Sequence, residues 1–138
     1  MQFQNVTEFA LVEVLDRAIP NKECIAIRVK EKTETGAFGI VLGIYAENGY
    51  AKPLLDHFFW FGDGVVQEGD WIFVNTGDGD ARLNRSTDDK NDVYSMFWKK
   101  KNTVFANTNI VPIIFRIESV VVGAPPPDKP QLRTLTAK

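Results

Sequence analysis

The sequence predicts an all-β sandwich of two antiparallel sheets. Three observations carry that expectation. Apolar residues alternate with a period of two rather than at helical spacing, the alternating runs are short, and Gly, Asn, Asp or Pro bounds nearly every one. Asn48-Gly49 and Gly62-Asp63-Gly64 supply residues that tolerate positive φ where the chain has to reverse.

Residues 9–15 give the first expected strand, and Pro20-Asn21-Lys22 ends its extension. Over residues 23–32 the alternation is clean, with Ile25, Ile27 and Val29 on one face and Ala26, Arg28 and Lys30 on a wet one. After Thr35-Gly36, the residues Phe38, Ile40, Leu42 and Ile44 alternate with Gly39, Val41, Gly43 and Tyr45. Residues 57–61 form a dense aromatic strand, which must place rings on both faces. In residues 70–76, Trp71, Phe73 and Asn75 oppose Ile72, Val74 and Thr76; both faces are largely apolar, which suits a central strand with Trp71 as a large core side chain.

Between Gly77 and Asp92 only Ala81 and Leu83 are apolar, so this stretch reads as a long surface loop. Residues 93–98, 103–106 and 110–122 complete a list of roughly eight or nine strands. In the last, Val111, Ile113, Phe115 and Ile117 are expected to face inward, with Pro112 confining part of the strand to an edge or a bulge. Beyond Gly123 the composition turns to Ala-Pro-Pro-Pro-Asp-Lys-Pro, an extended or disordered tail after a domain boundary near Val122.

At 138 residues the chain fits one domain, and a domain of this size buries roughly 68–70% of the surface its unfolded chain exposes, enough for a core without metal or disulfide. A formal charge of −2 removes the general electrostatic argument for nucleic acid or an anionic membrane and leaves only local patches. Cys24, the single cysteine, cannot form an intrachain disulfide and reads as a packed small residue. The N-terminus carries no basic region followed by an apolar run, and no run approaches the roughly 18 residues that span a bilayer, so a cytoplasmic protein without a membrane partner is the simplest expectation.

Residues 68–117 carry a series of short motifs in a coherent order. Gly69-Asp70 leads into Trp71-Ile-Phe-Val, Thr76-Gly77-Asp78-Gly79 forms a loop, Tyr94 to Trp98 is an aromatic strand, and Val104-Phe105-Ala106-Asn107 follows. In these motifs the second half of the domain resembles the lamin-tail domain, with its Gly-Asp turn, Thr-Gly-x-Gly loop, Leu-Tyr-Trp strand and Val-Trp-Asn-Asn step. The resemblance implies an immunoglobulin-like β-sandwich and a non-enzymatic binding role, with no cofactor and no named partner.

Four features are candidates for function. His57 beside Asp56 suggests acid–base chemistry, but neighbours in a strand point to opposite faces and no nucleophile motif accompanies them. Neither His-Glu-x-x-His nor Cys-x-x-Cys is present, so zinc is not expected. Asp78, Asp80, Asp88, Asp89 and Asp92 could offer oxygen ligands to Ca²⁺, yet Arg82, Arg85 and Lys90 lie among them, and a solvated mixed-charge loop is the simpler reading. Lys99, Lys100 and Lys101 follow Phe97-Trp98 and, aligned with Arg82 and Arg85, would make a single-stranded nucleic-acid site, whereas lysines at a hairpin tip also serve solubility. The aromatic strand offers the remaining candidate: of Phe58, Phe59, Trp60 and Phe61, one set belongs to the core and the other is available to a protein partner or a second copy.

Overall fold

Side chains from two sheets meet in one core, and the alternation that predicts the strands also selects which residues enter it. The protein, seen in a computed structural model, is described over residues 5–87 and 90–127. Among these residues the strands are β1 (Phe9–Leu15), β2 (Cys24–Val29), β3 (Thr33–Glu34), β4 (Phe38–Tyr45), β5 (Ala51–Trp60), β6 (Val65–Val66), β7 (Trp71–Asn75), β8 (Arg82–Arg85), β9 (Asp92–Phe97) and β10 (Ile110–Arg116). A five-stranded sheet has the order β1-β2-β7-β9-β8, a three-stranded sheet the order β10-β4-β5, and β3 and β6 form a small two-stranded ladder.

Ile25, Ile27 and Val29 of β2 and Ile72 and Val74 of β7 face Phe38, Ile40 and Leu42 of β4 across the interior, joined by Phe9, Phe61, Val66 and Phe105. The Phe9 ring meets Phe38 and Phe61 edge-on, with centroids 5.0 and 5.7 Å away. Each such side chain contributes about 1.5–3 kcal/mol by leaving water. This is the all-β sandwich that the alternation predicts, with one parallel pair in it: after β7 the chain runs out to the sheet edge as β8 and returns between them as β9, parallel to β7.

Several local expectations are corrected. The stretch read as a loop contains β8, whose Arg-Leu-Asn-Arg is exposed throughout and therefore shows no apolar alternation. Residues 103–106 are not a strand; instead a loop carries Phe105, with no exposed surface, into the core. β10 stops at Arg116 rather than continuing to Val122. Its inward residues are Ile110 and Ile114, which pack on the core, while Val111, Ile113 and Phe115 lie over Gly43, Val41 and Gly39 on the outside. Trp71 is likewise no core residue; it lies half-buried on the outer face of β7.

Two buried carboxylates tie the loops to this frame. Asp70 accepts hydrogen bonds from Gln67 N (2.8 Å), Asp92 N (3.0 Å) and Asn91 Nδ2 (3.2 Å), pinning the start of β9 beneath the turn before β7. Gly69 in that turn has φ +89°, and a Cβ there would sit 2.9 Å from the Asn91 amide, so the Gly-Asp pair is required by both backbone and packing. Glu23, fully buried, accepts from Ala18 N (2.8 Å) and Phe105 N (2.9 Å) on Oε2, and from Val104 N (2.8 Å) and Thr76 Oγ1 (3.0 Å) on Oε1.

Candidate functional site

The outer faces of the two large sheets differ in a way that separates an interface from a finished surface. On the three-stranded sheet, cross-strand register builds successive rows: Trp60–Gly39–Phe115, Phe58–Val41–Ile113, Pro53–Gly43–Val111 and Ala51–Tyr45. No charged residue occurs in these rows. Phe58 is 54% exposed, Trp60 48% and Tyr45 53%. The glycines give the face its shape. A Cβ on Gly39 would meet Phe115 Cζ at 2.7 Å and the Phe59 carbonyl oxygen at 2.6 Å, and a Cβ on Gly43 would meet Ile113 Cδ1 at 2.7 Å. Phe115 and Ile113 therefore lie down across β4, and Phe115 reaches the Phe58 ring at 5.2 Å with a 30° tilt.

The aromatic strand thus divides as its alternation requires. Phe59 turns inward against Trp98, with centroids 5.4 Å apart, and Phe61 is buried beside Phe9, while Phe58 and Trp60 point out. The Trp60 indole N–H donates to the Gly36 carbonyl at 2.8 Å, which fixes the ring without covering it. β5 is longer than expected, beginning at Ala51, and contains a bulge: Leu54, Asp56, His57 and the 87%-exposed Leu55 together oppose Leu42 alone. His57 Nδ1 lies 2.6 Å from the Leu55 carbonyl oxygen, a contact within this bulge.

On the five-stranded sheet the outer aromatics are Trp71, Phe73 and Phe97, and cations lie across two of them. The Arg28 guanidinium stands 4.7 Å from the Trp71 ring centre and that of Arg82 5.4 Å from Phe97. Stacking of this kind keeps a charged, hydrated group over an apolar ring and makes the surface compatible with water. Near the three-stranded sheet Lys100 stands 5.3 Å over Trp98 and Arg17 5.2 Å over Phe105, and both leave Phe58 and Trp60 open.

The remaining candidates are dispersed. Lys100 donates from Nζ to the Asp56 carbonyl at 3.1 Å, whereas Lys99 and Lys101 are exposed. Arg85 pairs with Asp92 at 3.4 Å, at the end of β9 away from the lysines, whereas Arg82 stacks on Phe97, two residues before Lys99. Asp78 and Asp80 are exposed, and Asp88 and Asp89 lie outside the described residues; among those described, no three His, Cys, Asp or Glu side chains gather as metal ligands. Cys24 is buried, and burial, followed by the nearby Asp16 carboxylate, pushes its pKa up to about 11, which keeps the thiol protonated.

No protein-family model matches the chain, and a search of the curated proteins finds no match. No helix among the described residues is long and apolar enough to cross a membrane.

Proposed function

We propose that this protein is a non-enzymatic binding and assembly module that associates with a second copy of itself through the outer face of its three-stranded sheet. The observation that carries the reading is the contrast between the two faces. Arginines cap two of the three outer aromatics of one, while Phe58, Trp60, Tyr45, Phe115 and Ile113 form an apolar wall on the other, with no charge among them. Contiguous exposed apolar surface of this kind marks an interaction site, and exposed aromatics near the middle of such a patch supply most of the binding energy. The resemblance of residues 68–117 to a lamin-tail domain agrees with a module of this type, whose partners are proteins.

The test uses Phe58→Asp, a change at an exposed position that leaves the core intact. Light scattering at micromolar concentration should show the wild-type chain associated and the variant monomeric at the same concentration, with unchanged far-ultraviolet circular dichroism. A wild-type chain that stays strictly monomeric overturns self-association. Salt-sensitive binding of single-stranded DNA, lost on substitution of Lys99 and Lys101, would favour the nucleic-acid alternative instead.

A further inference from the structure

We propose that Val120, Val121 and Val122 of one chain form a β-strand arm that docks in the groove between β1 and β10 of a second copy. The inference rests on the self-association reading above and names the element that would hold the two copies together.

Four features of the fold support it. The first is the arm itself. β10 ends at Arg116, and the following chain has no regular structure through residue 127. Val120 is 69% exposed, Val121 100% and Val122 83%. Single exposed apolar residues are ordinary, but three consecutive β-branched ones, among the strongest strand formers, are surface suited to a partner strand.

The second is the groove. β1 and β10 are end strands of different sheets that do not pair, and the contacts of Glu8 with Arg116 and of Arg17 with Ile110 set them antiparallel beside each other. Side chains hold them at both ends: Arg116 Nη1 meets Glu8 Oε2 at 3.0 Å, and Arg17 Nη1 donates to the Ile110 carbonyl at 3.1 Å. Between these clasps the groove is lined by Leu11, Val12, Glu13 and Val14 on one side and Val111, Pro112 and Ile113 on the other. It continues around β10 to Val41, Tyr45 and Phe115, so an occupant would also lie along the apolar wall.

The third is the edge it offers. The Asn109 carbonyl accepts from Tyr45 N, and Ile117 N donates to the Ala37 carbonyl, so odd-numbered residues direct their backbone groups at the β4 side. The even-numbered residues face the groove, and there the Ile110 carbonyl is already bonded to Arg17. Pro112 therefore falls on the open side, where its missing N–H costs no bond within the sheet, and Ile114 presents both a donor and an acceptor to an incoming strand. Added strands draw affinity from such main-chain groups and specificity from alternate side chains; Val120 and Val122 would point to one face and Val121 to the other.

The fourth concerns length. Gly123 and then Pro125, Pro126 and Pro127 follow the valines, and proline cannot extend a ladder, so the arm is a short strand that gains order only by joining an existing edge. Each copy has one arm and one groove. Reciprocal exchange thus closes into a two-fold dimer and leaves no arm over.

The experiment compares full chains by sedimentation velocity: wild type, the triple variant Val120→Ser, Val121→Ser, Val122→Ser, and Phe58→Asp. In a second arm, a fluorescent peptide of residues 117–124 is titrated into the triple-serine chain with and without Val12→Asp, at a position 48% exposed. The substituted valines are exposed in the single chain, so their loss should leave circular dichroism unchanged. The expected result is dimerisation at least about tenfold weaker in the triple variant, with peptide binding to that variant removed by Val12→Asp. If the triple-serine chain associates as tightly as wild type while Phe58→Asp does not, the arm is overturned and the apolar-wall reading stands. A wild-type chain that is monomeric and variants that bind no peptide overturn both.

Discussion

Glu23 shows how much one side chain can fix. Its two oxygens accept four hydrogen bonds, three from backbone amides, and the donors come from three separate segments, at Ala18, Thr76 and Val104-Phe105. Glutamine is not a conservative replacement. Whichever way its amide turns, the NH₂ faces at least one backbone N–H, Val104 on one side or Ala18 and Phe105 on the other, and donors cannot bond donors. Glu23→Gln should therefore lose about 1.5–3 kcal/mol of stability, the range for a hydrogen bond to a charged group, read as a lower urea midpoint with the slope unchanged. An unaltered midpoint would mean that the loops close without this carboxylate. None of this was legible in the sequence, where a lone acid before an apolar run looks like any solvated strand end.

At the scale of elements, legibility depended on whether the two faces of a strand differ in polarity. β1 and β4 have the bounds that alternation and turn residues set in the sequence. β10 was placed but turned over: Ile110, Pro112 and Ile114 are as apolar as Val111, Ile113 and Phe115, so period two cannot choose between the faces, and only the glycines of the neighbouring strand decide. Tryptophan size misled at β7, where Arg28 supplies the cover that a core would have given. β8 is invisible to alternation for the opposite reason, having no apolar residues on a consistent face. The corrected assignment makes a paired prediction. Phe105→Ala, in the closed core, should cost about 3–5 kcal/mol. Trp71→Ala should cost about 1 kcal/mol, since it gives up a half-exposed ring and one stacking contact. Chemical denaturation of both variants checks this, and equal costs would return Trp71 to the core.

For the molecule as a whole, the division of the aromatic strand into an inner and an outer pair was visible from the sequence, whereas the size of the outer wall was not, because Phe115 and Ile113 come to it from a strand more than fifty residues away. An assembly built on that wall couples stability to concentration, since association favours the folded chain by mass action. The thermal midpoint of the wild type should rise with protein concentration, while that of Phe58→Asp should not; two flat profiles in scanning calorimetry would leave the wall without a self-partner. The same buried carboxylate that fastens the loops also sets a schedule for the chain. Glu23 takes its bonds from residues 5, 53, 81 and 82 positions further along or behind, so during synthesis its full set of partners exists only once the last third of the domain has emerged, and until then the carboxylate keeps its water. Closing the sandwich is thereby a long-range event, of the kind whose rate depends on loop closure as well as on local strand formation.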